Sequence, residues 1–389
     1  MMEESFSTKI FGATIEFGVG IVKNLPYYIE KLNVQNLLLV TDEGIIKAGI
    51  IDKLSDILKS ANIKYAIFSE VQPNPIDRNV IKGLEFYKSN NCDAILAVGG
   101  GSPMDVGKAI RAVLANNSDI KNCYVPANIS GDKPILIAVP TTSGTGSEVS
   151  TGSIITDTAI NRKRIIRHIP PSLAVIDPDL TIDVPPFLTS ATGIDALSHN
   201  IEAYVSTRYN PLADAIAIKG IQLIAKNLRQ AVKNGSDIDA RKNMSLASMM
   251  GALAFNKGLG ASHSLSHQLS TDANVHHGVA NAIMLPYVMR FNLEFAIEKY
   301  ADIAYAMGVE TYGMSTIQSA KASIRAVYDL CRDIGLPDSL SAVNVNSDMI
   351  KVMAKKAMED HCHLSNPRVC CEDDMLLLYK FALEGEKIK

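Results

Sequence analysis

The stretch Ala94-Ile95-Leu96-Ala97-Val98, running straight into Gly99-Gly100-Gly101-Ser102-Pro103, is the strongest constraint on how this chain folds. Five consecutive apolar residues are too few for an ordinary helix and show no polar alternation. Such a run is a strand buried on both faces, which points to a parallel sheet covered by helices. The glycines end it, and proline at 103 favours a first helical turn, where its missing N–H is not needed. The same grammar recurs at Asn36-Leu37-Leu38-Leu39-Val40-Thr41, at Tyr65-Ala66-Ile67-Phe68 and at Ile135-Leu136-Ile137-Ala138-Val139. Helical periods at Ile50 to Ser60 and Asn79 to Ser89 separate the earlier strands. The expectation is an α/β domain. Residues 6–20, alternating around Gly12, Gly18 and Gly20, read as a hairpin.

After about residue 184 the strand signals fade. Long helical periods follow at Pro211 to Lys233, Ala240 to Phe255, Leu293 to Met307 and Ser315 to Ile334. Proline and aspartate break the periodicity between Asp177 and Pro186. A chain of 389 residues exceeds one compact core, so two domains are expected: 1–183 α/β and 184–389 all-α. A net charge of −3 gives no electrostatic footprint for nucleic acid or an anionic membrane. The acidic start Met1-Met2-Glu3-Glu4-Ser5 lacks the order of a secretion signal, and no apolar run approaches a bilayer span. Six irregularly spaced cysteines suit a reducing, cytoplasmic setting.

The free amides of a helix that starts at a glycine turn attract an anion, and a pyrophosphate is the natural guest. The spacing differs from the G-x-G-x-x-G of the usual dinucleotide fold, and a tight turn that binds nothing has the same sequence. Asp42 ends the first strand. A carboxylate there can accept hydrogen bonds from a ribose and repel a 2′-phosphate, which favours NAD over NADP; it can equally be a helix cap. The loop Pro140-Thr141-Thr142-Ser143-Gly144-Thr145-Gly146 offers hydroxyls and glycines to the same ligand.

In the second half, Asp195 and His199 are four apart, as are His263 and His267, and His277 follows. Residues i and i+4 share one helix face. Five of the eight histidines fall between 199 and 277, a span without cysteine. Imidazoles and a carboxylate suit Fe²⁺, Zn²⁺ or another borderline divalent cation, whereas a closed structural zinc site would bring thiolates. The spacing does not say whether His263 or His267 is the ligand. One such pair alone is more often a surface ion pair; it is the convergence that points to metal. His361-Cys362-His363 with Cys370-Cys371 is assigned no metal.

Taken in order, Gly99-Gly100-Gly101-Ser102-Pro103-x-Asp105, Pro140-Thr141-Thr142-x-Gly144-Thr145-x-x-Glu148, Gly193-x-Asp195-Ala196-x-x-His199, Gly260-x-x-His263-x-x-x-His267 and His277-Gly278 resemble the iron-containing (group III) alcohol dehydrogenases. That group includes lactaldehyde reductase, propanediol dehydrogenase and butanol dehydrogenase. The resemblance implies a dehydroquinate-synthase-like fold, with an α/β dinucleotide-binding domain and a helical metal- and substrate-binding domain. It implies metal ligands at Asp195, His199, His263 and His277, with His267 as a proton-relay group. NAD contacts are implied at Asp42, Asn74, Gly100, Gly101, Ser102, Thr141, Thr142, Thr145, Lys163 and Leu180, and a substrate pocket at Ala254, Phe255, Leu259 and Cys362. The implied cofactors are Fe²⁺, with Zn²⁺ or another divalent metal possible, and NAD(H) rather than NADP. The expected partners are a small alcohol or aldehyde and further copies of the chain, as a homodimer or larger. Two positions depart from the pattern: His276 stands where many members have proline, and Gly152 where some have asparagine. Judged on metal ligands alone, a zinc hydrolase using a metal-bound hydroxide is the competing reading, but it has no use for the glycine turn or Asp42. A non-catalytic metal-binding scaffold is a third.

Overall fold

The buried strands assemble as their composition requires. In the computed structural model, residues 12–160 and 162–385 are described. Residues 12–142 and 146–183 form one unit, and 143–145 with 184–385 a second.

The first unit contains β1 (Thr14–Phe17), α1 (Leu25–Lys31), β2 (Asn36–Val40), α2 (Glu43–Lys47), α3 (Ile50–Ser60), β3 (Lys64–Phe68), α4 (Asp77–Ser89), β4 (Ala94–Gly99), α5 (Gly101–Asn116), β5 (Ile135–Pro140), β6 (Ser153–Asp157), β7 (Arg162–Ile166) and β8 (Leu173–Ile176). Six of these strands form a sheet of order β1-β8-β5-β4-β2-β3, and every pairing in it is parallel. The period-2 alternation of a strand splits its side chains between two cores. Leu38, Val40, Ile95, Ala97, Leu136 and Ala138 pack with Met104, Val106 and Ile110 of α5. Leu37, Leu39, Leu96, Val98, Ile137 and Val139 pack with Leu54 and Leu58 of α3 and Ile29 of α1. This is why the sequence runs are apolar throughout rather than alternating.

Thr14–Phe17 does not act as a hairpin arm within the described residues; it is the edge strand, paired in parallel with β8. Residues 6–11, the rest of the expected hairpin, lie outside the described residues. Neither β8 nor the antiparallel pair β6–β7 stood out in the sequence.

A buried polar cluster fixes α5 to the segment after β5. Lys108, fully buried, donates to Ser150 Oγ (3.0 Å) and to the Gly152 carbonyl. Asp105 accepts from Ser147 Oγ (2.8 Å) and from the Ile154 amide (3.1 Å). Glu148 is buried beside them, and burial pushes its carboxyl up to about 7 against the pull of the Lys108 ammonium.

The second unit comprises α6 (Pro186–Val205), α7 (Pro211–Lys233), α8 (Ile238–Ala254), α9 (Ala261–Asp272), α10 (His277–Asn292), α11 (Ile297–Ala306), α12 (Thr316–Asp333), α13 (Ser347–Glu359) and α14 (Glu372–Glu384). One apolar core runs through all of them. Several helices start where side chains cap them: Asn210 accepts from the Ala213 amide and Asp237 from that of Ala240. The period expected from Leu293 divides into a short 3-10 turn, Leu293–Phe295, and α11.

Since the folded Glu148 pKa lies above the roughly 4.3 of an unfolded glutamate, the native state binds the extra proton, so stability falls as pH rises from about 4.3 to 7. Glu148→Gln should flatten the wild-type decline of the unfolding midpoint across that window, as measured by thermal melts at stepped pH.

Candidate active site

Helix α6 carries Asp195 and His199 one turn apart, buried at 3% and 6% exposure. Helix α9 carries His263 and His267, at 1% and 8%. His277 opens α10. The approach of α10 to α6 is set by Gly278, where a Cβ would lie 2.0 Å from the Ala191 carbonyl oxygen. Only glycine fits that crossing.

These side chains converge on the Asp195 carboxylate. From Asp195 Oδ1 the distance is 3.5 Å to His277 Nε2, and 3.9 Å each to His263 Nε2 and His199 Nε2. Asp195, His263 and His277 each offer a ligand atom within 4.8 Å of the others. His199 joins them through Asp195 and by stacking on His263, with ring centroids 4.6 Å apart. His263 Nε2 and His199 Nδ1 are buried without a hydrogen-bond partner. A buried donor or acceptor left unpaired costs about 1–3 kcal/mol. A divalent cation at this point would engage the His263 nitrogen and neutralise the carboxylate, and three imidazoles with one carboxylate are a suitable donor set.

The electrostatics agree with that fit. Burial pushes the His199 imidazole down to about 4, leaving it neutral as a ligand must be. At His263 burial also acts downward, but Glu202 and Asp195 outweigh it and the ring ends above its ordinary value. The pocket attracts positive charge. Asn281, fully buried, donates from Nδ2 to Asp195 Oδ1 (2.8 Å).

His267 lies beside this group, stacked on His277 at 5.3 Å and edge-on to His263 at 6.0 Å. Its Nδ1 is 2.8 Å from Asp360 Oδ2. Asp360 also accepts from the Ser264 hydroxyl (3.1 Å) and the Cys362 amide (2.8 Å). Burial opposes that carboxylate's charge, yet His267 and the Cys362 amide hold its pKa well below the usual range. His267, Asp360 and Cys362 form a second group of possible ligand atoms within 4.8 Å. Its carboxylate is already satisfied by hydrogen bonds, unlike the orphaned nitrogens of the first.

Of the pocket positions, Phe255 sets its ring 5.1 Å from that of His199. Ala254 is fully buried just before it, and the Leu259 carbonyl accepts from Ser365 Oγ (2.8 Å).

In the first unit, Asp42, Asn74, Gly100 to Ser102, Thr141 with Thr142, and Leu180 follow β2, β3, β4, β5 and β8 respectively, so a parallel sheet brings all of them to its carboxyl edge. That edge is where open α/β sheets bind ligands. Asp42 caps α2 through Oδ1, which accepts from the Ile45 amide (3.0 Å). No side chain caps α5, among the described residues. Lys163 lies apart from these strands, on β7. Thr145 groups with the second unit.

The family model described as iron-containing alcohol dehydrogenase matches residues 12–178, and the C-terminal model of the Fe-containing alcohol dehydrogenase family matches 189–383. The chain belongs to the iron-containing alcohol dehydrogenase family. It is 41% identical over 372 residues to a 1,3-propanediol dehydrogenase of Klebsiella pneumoniae, covering 94% of this chain and 96% of that one. It is 39% identical over 371 residues to an NAD-dependent methanol dehydrogenase of Bacillus methanolicus, covering 94% and 97%. The crystal structure of a 1,3-propanediol oxidoreductase superposes with a TM-score of 0.95 at 39% identity, covering 97% of this chain and all of that one. The expected fold, an α/β dinucleotide-binding type followed by a helical part, is therefore that of this dehydrogenase family. The hydrolase reading has no support.

Sequence reasoning missed three side chains of this dehydrogenase: Glu202, Asp360 and Asn281. Glu202 follows His199 by three, and Asn281 follows His277 by four, so helical spacing from each histidine was the available signal. Asp360 directly precedes the His361-Cys362-His363 cluster but touches His267, 93 positions away.

Gly278→Ala forces a methyl against backbone, so unfolding in urea should reveal a loss of at least about 1–3 kcal/mol relative to wild type.

Proposed function

We propose that this dehydrogenase interconverts a small primary alcohol or diol and its aldehyde, with NAD(H) as hydride partner and Fe²⁺ held by Asp195, His199, His263 and His277. Zn²⁺ or another divalent ion suits the same donors. One observation carries the reading: three imidazoles close on a single buried carboxylate, with an unsatisfied nitrogen among them. When bound, the cation supplies Lewis acidity toward an alcohol oxygen and the nicotinamide supplies the hydride acceptor.

The chain's own groups do the rest. The uncapped start of α5 at Gly101 and Ser102 offers amides to a pyrophosphate. Thr141 and Thr142 add hydroxyls, and Asn74, Thr145, Lys163 and Leu180 complete the NAD contacts. Asp42 keeps one carboxylate oxygen beyond its cap for a ribose hydroxyl, and its charge disfavours a 2′-phosphate. His267, held at Nδ1 by Asp360, keeps Nε2 to take the alcohol's proton, directly or through water. Ala254, Phe255, Leu259 and Cys362 wall the substrate and exclude water.

In this reading 1–183 is the NAD-binding domain and 184–389 the metal- and substrate-binding domain. No helix among the described residues is long and apolar enough to cross a membrane. Cys92, Cys123, Cys331, Cys370 and Cys371 form no disulfide, in keeping with a reducing cytoplasm. The working form is a homodimer or larger assembly.

The test is metal analysis combined with an aldehyde panel using NADH and NADPH. Wild type should hold one divalent ion per chain and oxidise NADH with short aldehydes. His263→Ala should lose the ion and on the order of 10³-fold in kcat/KM, several kcal/mol of lost Lewis acidity. Full activity in metal-stripped enzyme would overturn the reading. Asp42→Ser keeps a helix cap but removes the charge, so the NADPH-to-NADH ratio of kcat/KM should rise about tenfold, roughly the effect of one nearby like charge. An unchanged ratio removes Asp42 from cofactor choice.

A further inference from the structure

The start of α9 is capped from elsewhere in the chain. Gly260, its N-cap, has no side chain, and the amides of Ala261 and Ser262 point out of the helix end. Asn366 Oδ1 accepts from the Ala261 amide at 3.2 Å, and Glu202 Oε1 from that of Ser262 at 2.7 Å. The other Glu202 oxygen, Oε2, is bonded to His263 Nδ1. Glu202 is 3% exposed and lies on α6, seven residues after Asp195.

We infer that Glu202 is the positioning residue of the metal centre: it fixes the tautomer and rotation of His263, so that Nε2 is the nitrogen presented to the cation. The inference rests on the ligand set proposed above. A carboxylate accepts at Oε2, so in the neutral ring that a cation requires Nδ1 carries the hydrogen and Nε2 keeps its lone pair. That nitrogen is the one buried without a partner, 3.9 Å from Asp195 Oδ1. The helix-end amide fixes the carboxylate in turn, because a negative group is favoured at a helix N-terminus. One side chain thus ties the ligand's ring to the backbone of its own helix and to the helix that bears Asp195.

Gly260 makes room for this. A Cβ there would stand 2.8 Å from Glu202 Oε1 and 3.0 Å from Asn366 Oδ1. Its φ of −143° is open to any residue, so the need for glycine comes from the carboxylate and not from the backbone. Alanine at 260 should displace Glu202 from the Ser262 amide without touching a ligand.

Two variants and one wild-type measurement test this. Glu202→Gln cannot accept at both positions: if its oxygen takes the Ser262 amide, its NH₂ faces Nδ1 and drives the proton to Nε2. The Co²⁺ affinity of the metal-free enzyme, by chelator competition, should fall about 10–100-fold, the usual cost of losing such a partner. Gly260→Ala should fall in the same direction, with Glu202 itself intact. Nitrogen-15 histidine spectra of metal-free wild type, taken at alkaline pH where the ring is neutral, should show His263 protonated at Nδ1 and bare at Nε2, a readout that needs no variant to fold. Wild-type Co²⁺ affinity in both folded variants, with only the melting temperature lowered, would reduce Glu202 to a structural cap and overturn the inference. So would an Nε2–H tautomer in wild type. If instead His263→Ala retains wild-type Co²⁺ affinity, it is the ligand set itself that fails, and the two failures are told apart.

Discussion

A carboxylate nearly stripped of water has to be compensated. Asp195 sits at 3% exposure with Asn281 donating to it and three imidazole nitrogens within 3.9 Å of its Oδ1. The penalty for burying an isolated ion is several kcal/mol even after relaxation, and one amide hydrogen bond offsets only about 1.5–3. A cation held among the imidazoles, as proposed, would supply the rest. The helical unit is arranged around that requirement: α6 brings the carboxylate, α9 and α10 bring the nitrogens, and Gly278 lets α10 come within reach of α6.

Around this centre the polar groups form linked supports. Glu202 and Asp360 each take the Nδ1 of one α9 histidine, and each also binds backbone amide, at Ser262 and Cys362. Two histidines one turn apart on one helix are thereby held by carboxylates from different parts of the chain, and they differ in surroundings. His263 Nε2 faces Asp195, while His267 lies to the side against the loop that carries Cys362. The proposed roles, ligation for one and proton transfer for the other, rest on this difference in neighbours and not on spacing.

Much of this was legible in the residues. The apolar runs at 36–41, 94–98 and 135–139 became central strands because burial on both faces leaves no room for polar alternation. Long helical periods gave α3 and α7 with their ends, since amphipathic spacing marks both and Pro211 opens α7. Short strands were harder. Leu173–Ile176 is four residues long, and Thr14–Phe17 is a half-exposed edge whose partner lies some 160 positions away. Spacing placed Asp195, His199, His263 or His267, and His277 as candidates, but it is local. The Glu202–His263 contact spans 61 positions and Asp360–His267 spans 93, and no periodicity records such pairs.

The most direct measurement is X-ray absorption at the metal edge of the iron- or cobalt-loaded enzyme. A centre at Asp195, His199, His263 and His277 predicts nitrogen and oxygen neighbours at about 2.0–2.2 Å with the outer-shell scattering of imidazole rings, and no sulfur. A sulfur neighbour at about 2.3 Å would place the ion instead with Cys362, His267 and Asp360, and would contradict the arrangement described here.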